Sequence, residues 1–136
     1  MKLTAVAAVA AVVVALAGVP SAGSANEPTA NVENIATVVI GGLVTDFEFN
    51  LYDCPAGMEM AVVDWTATQP SRPGNDATAP LTPFGTSSGA HAQHLTLNAG
   101  SNFVAGERWV GSGTVACGAV LIPVEGSGTT KSLNGV

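Results

Sequence analysis

The chain has 136 residues, 47% hydrophobic and 10% charged, with four Lys or Arg against ten Asp or Glu and a formal net charge of −6. That length accommodates one domain, and the apolar fraction excludes wholesale disorder. The acidic balance excludes a nucleic-acid binder, which needs clustered Lys and Arg to neutralise phosphates, and equally a polybasic membrane-surface protein.

Residues 1–25 have the order of a secretory signal peptide. Lys2 gives a positive start, Leu3 to Val19 is uncharged and dominated by Ala and Val, and Pro20 breaks any helix. Gly23 and Ala25 are small enough for the −3 and −1 pockets of a signal peptidase, which places cleavage after Ala25. The alternative is an uncleaved anchor, but the apolar stretch is short for a span of about 20 residues. No stable membrane span is expected after cleavage, and the mature protein is expected to be secreted or associated with the cell surface. Residues 26–136 are read as a single domain with flexible ends.

The mature part follows period two, not 3.6. Asn26 to Asn34 is a polar entry segment, followed by the apolar run Ala36 to Ile40 and a turn or bulge at Gly41-Gly42. Over Thr45 to Asp53, Phe47, Phe49 and Leu51 alternate with Asp46, Glu48 and Asn50, as in a strand with one wet face. Met60 to Thr68 is a second strand, with Ala61, Val63, Trp65 and Ala67 on one face. Gln69 to Gly89 holds four prolines and reads as a long loop, with room for a short edge strand. Gln93 to Asn98 and Phe103 to Val110 are further strands. Val115 to Val124 is almost continuously apolar around Cys117, with pairing expected to end at Pro123. About seven short strands with Gly/Pro turns predict an all-β, antiparallel β-sandwich.

Cys54 and Cys117 are the two cysteines. In an exported protein they are expected to form one structural disulfide. Two free thiols or an intermolecular bridge are the alternatives. No Cys-x-x-Cys pair supports a redox site or a zinc ribbon.

The spacing of Cys54, Trp65 and Cys117 resembles the framework of immunoglobulin-like domains. In that family a buried Trp packs against a disulfide joining two sheets. Leu95-Thr96-Leu97 is similar to the strand before the second Cys, and Gly113 stands where the family often has Gly. Val115 and Gly111 depart from the pattern, standing where a tyrosine and an Asp are usual. The resemblance implies an immunoglobulin-like sandwich with Trp65 packed on the Cys54–Cys117 bridge. The Ala/Val-rich leader and the Gly/Ala/Thr bias resemble small exported proteins of actinobacteria.

Four groups of residues carry candidate chemistry. Gly85-Thr86-Ser87-Ser88-Gly89 matches G-x-S-x-G, with His91 and His94 nearby. Yet a Pro-interrupted stretch precedes it, no helix pattern follows, and the chain is too short for an α/β-hydrolase. His91 and His94 would share a face on a helix but not on a strand, so the sequence indicates no metal and no cofactor. Asp46, Glu48 and Asn50 present oxygens, but alternate strand residues stand about 6.7 Å apart, too wide for two carboxylates to chelate one ion easily. Trp109 beside Arg108 is the candidate binding pair, because both types are enriched at interaction hot spots. Its alternative is a core aromatic with Arg108 paired to a carboxylate.

The sequence therefore points to a secreted, bacterial, non-enzymatic binding or structural protein whose partner is an unknown protein or a cell-wall glycan. The alternative is a small secreted hydrolase or metal-dependent enzyme using Ser87, His91 and His94.

Overall fold

A computed structural model describes residues 27–39 and 43–133. The leader at 1–25 and the turn at Gly41-Gly42 lie outside the described residues. Eight strands follow in chain order: β1 (Thr29–Val39), β2 (Val44–Tyr52), β3 (Glu59–Thr68), β4 (Asp76–Ala79), β5 (Thr82–Thr86), β6 (Ala92–Ser101), β7 (Arg108–Cys117) and β8 (Val120–Ser132).

All eight belong to one sheet, in the order β4-β6-β2-β1-β8-β7-β3-β5, and β4 also pairs with β3. That last pairing closes seven strands into a barrel. The fold is all-β, as the period-two pattern predicts, but it is not an immunoglobulin-like sandwich. A sandwich has two sheets facing each other, whereas here β2 connects to β7 through a continuous ladder β2-β1-β8-β7. Every pairing is antiparallel except β1 with β8, which run parallel. β5 extends the wall of β3 beside Glu59 to Val62, while β4 pairs with Trp65 to Thr68 farther along the same edge.

β2 follows its sequence pattern closely. Phe47, Phe49 and Leu51 are fully buried, while Asp46 and Glu48 are turned outward and only half-buried. β3 does not follow a single alternation. Its register against β7 shifts between Val62 and Asp64, so Val63 is an extra residue. The bulge switches the phase of the strand. Met60 and Val62 point inward before it, Trp65 and Ala67 after it, and Ala61 and Val63 are left on the outside. The segment 69–89 holds two short strands, β4 and β5, rather than one long loop. The entry segment is strand β1 from Thr29 onward. Pairing does not end at Pro123, which faces Thr114 in a ladder that runs on to Arg108 and Thr129. The polar end of the chain is thus part of the barrel wall.

The interior is filled by rings. Phe47 lies 5.1 Å from Trp65, 5.2 Å from Trp109 and 6.3 Å from Phe103, all edge-on, and Phe49 lies 5.0 Å from Trp65. Trp65 does not rest on the disulfide as the immunoglobulin resemblance implies. On β3, Met60 is the residue opposite Cys117, while Trp65 is opposite Gly113, farther down the barrel. Glycine makes room for it. A Cβ on Gly111 would come within 2.7 Å of the Trp65 ring, and one on Gly113 within 2.3 Å of the Asp64 carbonyl oxygen. The indole nitrogens of Trp65 and Trp109 are buried without a hydrogen-bond partner among the described residues. Each such loss costs about 1–3 kcal/mol. Burying an indole of roughly 200 Å² returns about 5 kcal/mol, so the rings still favour the interior.

Cys54 and Cys117 are joined, and both are buried. The bridge ties the end of β2 to the end of β7 at one mouth of the barrel. It closes a loop of 63 positions, and constraining the unfolded chain to that degree stabilises the fold by about 4 kcal/mol. Thiol titration of the denatured, unreduced protein is expected to find no free thiol. Two titratable thiols per chain would refute the bridge.

Candidate functional site

The disulfide end gathers Ser87 and His91 around the end of β2. Asp53 follows β2 with φ of 59°, the one positive value outside glycine among the described residues. Its backbone N–H donates to the His91 carbonyl at 2.9 Å, and its carboxylate lies 2.9 Å from His91 Nδ1. The His91 ring also lies 5.8 Å from the ring of Tyr52. This pair is on the surface, with the His91 side chain 77% exposed. A solvated pair of this kind contributes little to stability.

Ser87 sits differently. It is buried, and its hydroxyl donates to the Cys54 carbonyl at 2.8 Å. The same oxygen accepts from the Gly89 N–H at 3.0 Å and from Gln93 Nε2 at 2.9 Å. Its backbone adds two bonds, Ser87 N–H to the Met58 carbonyl and Gly57 N–H to the Ser87 carbonyl. These contacts fasten the segment after β5 over the barrel mouth. None of the hydroxyl's partners is an imidazole. The G-x-S-x-G match thus falls on a strand end and the segment after it, with no nucleophile elbow. His91 stands just before β6 and His94 on its outer face, opposite Asn50 of β2. Among the described residues no three His, Cys, Asp or Glu side chains cluster as a metal site.

The acidic face of β2 is a hydrogen-bonded ladder. Asn98 donates to Asp46, and the Thr96 hydroxyl donates to Glu48 at 2.8 Å. Asn50 Nδ2 donates to Asn31 Oδ1 at 2.9 Å and also to Glu33. The Asn31 side chain in turn reaches the Tyr52 hydroxyl. Outward residues of β1, β2 and β6 therefore form one surface of amides, carboxylates and hydroxyls with Tyr52 at its edge.

Trp109 is fully buried, while Arg108 next to it is exposed on the outer wall. Adjacent strand residues point to opposite faces, so the two cannot form one contact surface. Trp109 is a core aromatic, the alternative reading of the sequence. The described ion pairs are Arg72–Glu107 and His91–Asp53, so among the described residues Arg108 is not paired to a carboxylate.

The opposite end of the barrel is closed by a polar plug that the sequence pattern did not reveal. Gln69 is 1% exposed. Its Nε2 donates to the Val104 carbonyl at 2.7 Å and to Thr130 Oγ1 at 3.3 Å, while its Oε1 accepts from Val104 N–H and Asn75 Nδ2. Nearby, the Ser71 hydroxyl donates to Glu107 at 2.6 Å. That bond, with help from Arg72, holds the Glu107 carboxyl below its ordinary pKa against the opposing effect of desolvation.

No protein-family model matches the chain, and no curated protein matches it in sequence.

Proposed function

We propose that the protein is an exported, non-enzymatic binding or structural protein that works through the outside of its barrel. The observation that carries this reading is the engagement of Ser87. A nucleophile needs a base within hydrogen-bond reach, and this hydroxyl is instead bonded to Cys54, Gly89 and Gln93. A barrel interior occupied by Trp65, Trp109, Phe47 and Phe49 supports contact from outside rather than inside. The disulfide agrees with an oxidising compartment.

The surface best suited to a hydrogen-bonding partner is the outer face of β1, β2 and β6, around Tyr52, Asn31, Glu48 and His94. Co-sedimentation with purified cell-wall glycan separates the two partner classes. Glycan-dependent pelleting that Tyr52→Ala weakens identifies a glycan; its absence leaves a protein partner. Catalysis is tested separately. Ser87→Ala is expected to lower stability by about 1–3 kcal/mol through orphaned partners, and to leave any hydrolytic activity of the purified protein unchanged. Loss of such an activity in a variant that still unfolds cooperatively would overturn the non-enzymatic reading.

A further inference from the structure

The outward face of β8 carries an ordered pattern. Alternate residues of a strand share a face, so the outward series is Leu121, Pro123, Glu125, Ser127, Thr129, Lys131 and, just past the strand, Leu133. The inward residues between them include Val124 and Thr130, both buried. The leucines of the series are symmetric about Ser127, and its charges are segregated by sign on the two sides, Glu125 two residues before Ser127 and Lys131 four after it. A leucine stands six residues away on each side, Leu121 62% and Leu133 68% exposed. The acid Glu125 lies on one side, the base Lys131 on the other.

The neighbouring strands extend the pattern. On the Leu121 side, the row runs from Leu121 across the buried Ala116 of β7 to the half-buried Ala61 of β3 and the exposed Pro83 of β5. The next outward row holds Pro123, Thr114 and Asp64. On the Leu133 side, Arg108 of β7 stands opposite Thr129, which stands opposite the half-exposed Ile35 of β1. One end of the wall is therefore aliphatic with carboxylates, and the other aliphatic with cations. None of Asp64, Glu125, Arg108 and Lys131 takes part in a described ion pair.

We propose that this wall binds a second copy of the chain, with β8 antiparallel to β8 across a two-fold axis near Ser127. A two-fold interface must be self-complementary, each patch meeting its counterpart twice. Rotation about Ser127 brings Leu121 to the partner's Leu133. It brings Glu125 to the row of the partner's Arg108, and the Asp64–Pro123 row to the partner's Lys131. A rotation about any outward row nearer Leu121 loses the leucine pairing, and one about Glu125 sets like charges together. The surface thus selects its own copy over a partner of uniform charge. Convex barrels touch over few strands, which places the contact at the small end of specific interfaces.

The test is sedimentation velocity on the protein recovered from its host, from about 5 μM to 1 mM. A reversible monomer–dimer equilibrium is expected. Leu121→Asp should abolish it, and this exposed position does not threaten folding. Glu125→Lys and Arg108→Glu should each weaken association by about tenfold or more, because symmetry makes each substitution act twice. The two sites lie two rows apart within one chain, about 13 Å along the wall, so they do not pair internally. The double variant Glu125→Lys/Arg108→Glu should therefore regain wild-type association to within about threefold. A monomer at every concentration, an association indifferent to Leu121→Asp, or a double variant no tighter than its parents would each overturn the proposal.

Discussion

Trp65→Ala is expected to leave little or no folded protein at room temperature. The side chain is 1% exposed and meets Phe47, Phe49 and Trp109. Truncating a buried indole costs about 3–5 kcal/mol, against a total stability of about 5–15 kcal/mol for a domain of this size. The lower part of that range applies here, because small domains bury a smaller share of their surface. Trp109→Ala should be equally damaging, since that ring is fully buried and touches Phe47 and Trp65. Urea unfolding followed by far-ultraviolet circular dichroism measures both. Cooperative unfolding at a midpoint near wild type in either variant would refute the ring cluster as the centre of the core.

The equivalence of the two tryptophans was only half legible in the sequence. Trp65 sits in an alternating strand and reads as inward. Trp109 sits in Gly-Glu-Arg-Trp-Val, where the neighbouring arginine invites the opposite conclusion, that the ring is a binding residue. The physical resolution is simple alternation: Arg108 outward, Trp109 inward. What the sequence lacks is the strand start that sets the phase, because β7 begins at Arg108 itself.

The sandwich expectation failed for a related reason. Two cysteines and a tryptophan report spacing along the chain, and a bridge between neighbouring sheets needs the same spacing as one across a barrel mouth. Closure is decided by pairings that leave weak local traces. β4 has four residues and links β3 to β6. The parallel contact of β1 with β8 joins the first and last of the eight strands over four residue pairs. Both elements lie in segments whose polar, Gly- and Pro-rich composition reads as loop or tail. The bulge at Val63 is equally silent, since Val62 and Val63 are interchangeable to any hydropathy pattern. The chemistry of the disulfide end was partly visible: Ser87 and His91 both stand there, bonded to Cys54 and Asp53 at the end of β2. Their bonding differs, because Ser87 faces the backbone of Cys54 while His91 turns out to Asp53.

The parallel seam between β1 and β8 gives the second large expected effect. A Cβ on Gly128 would lie 1.5 Å from the Asn34 carbonyl oxygen and 2.2 Å from its carbon. Those are backbone atoms, so no rotamer change relieves the clash, and β1 would have to part from β8. Gly126 is tight for a softer reason. Its Cβ would meet Val32 Cγ1 at 2.3 Å, a side-chain methyl that can turn aside. Gly100 on β6 has nothing within 4 Å. The three Gly→Ala substitutions should therefore separate widely in urea unfolding. Gly100→Ala is expected to be neutral or stabilising by up to about 1 kcal/mol, since Gly costs entropy within a strand. Gly126→Ala should cost about 1–3 kcal/mol, as overpacking generally does. Gly128→Ala should exceed about 3 kcal/mol, beyond what overpacking of movable side chains costs. If Gly128→Ala proved as stable as Gly100→Ala, β1 and β8 would not meet there. The sheet would then be open between β1 and β8, and the wall assigned to self-association would lose Ile35 and its register with Thr129.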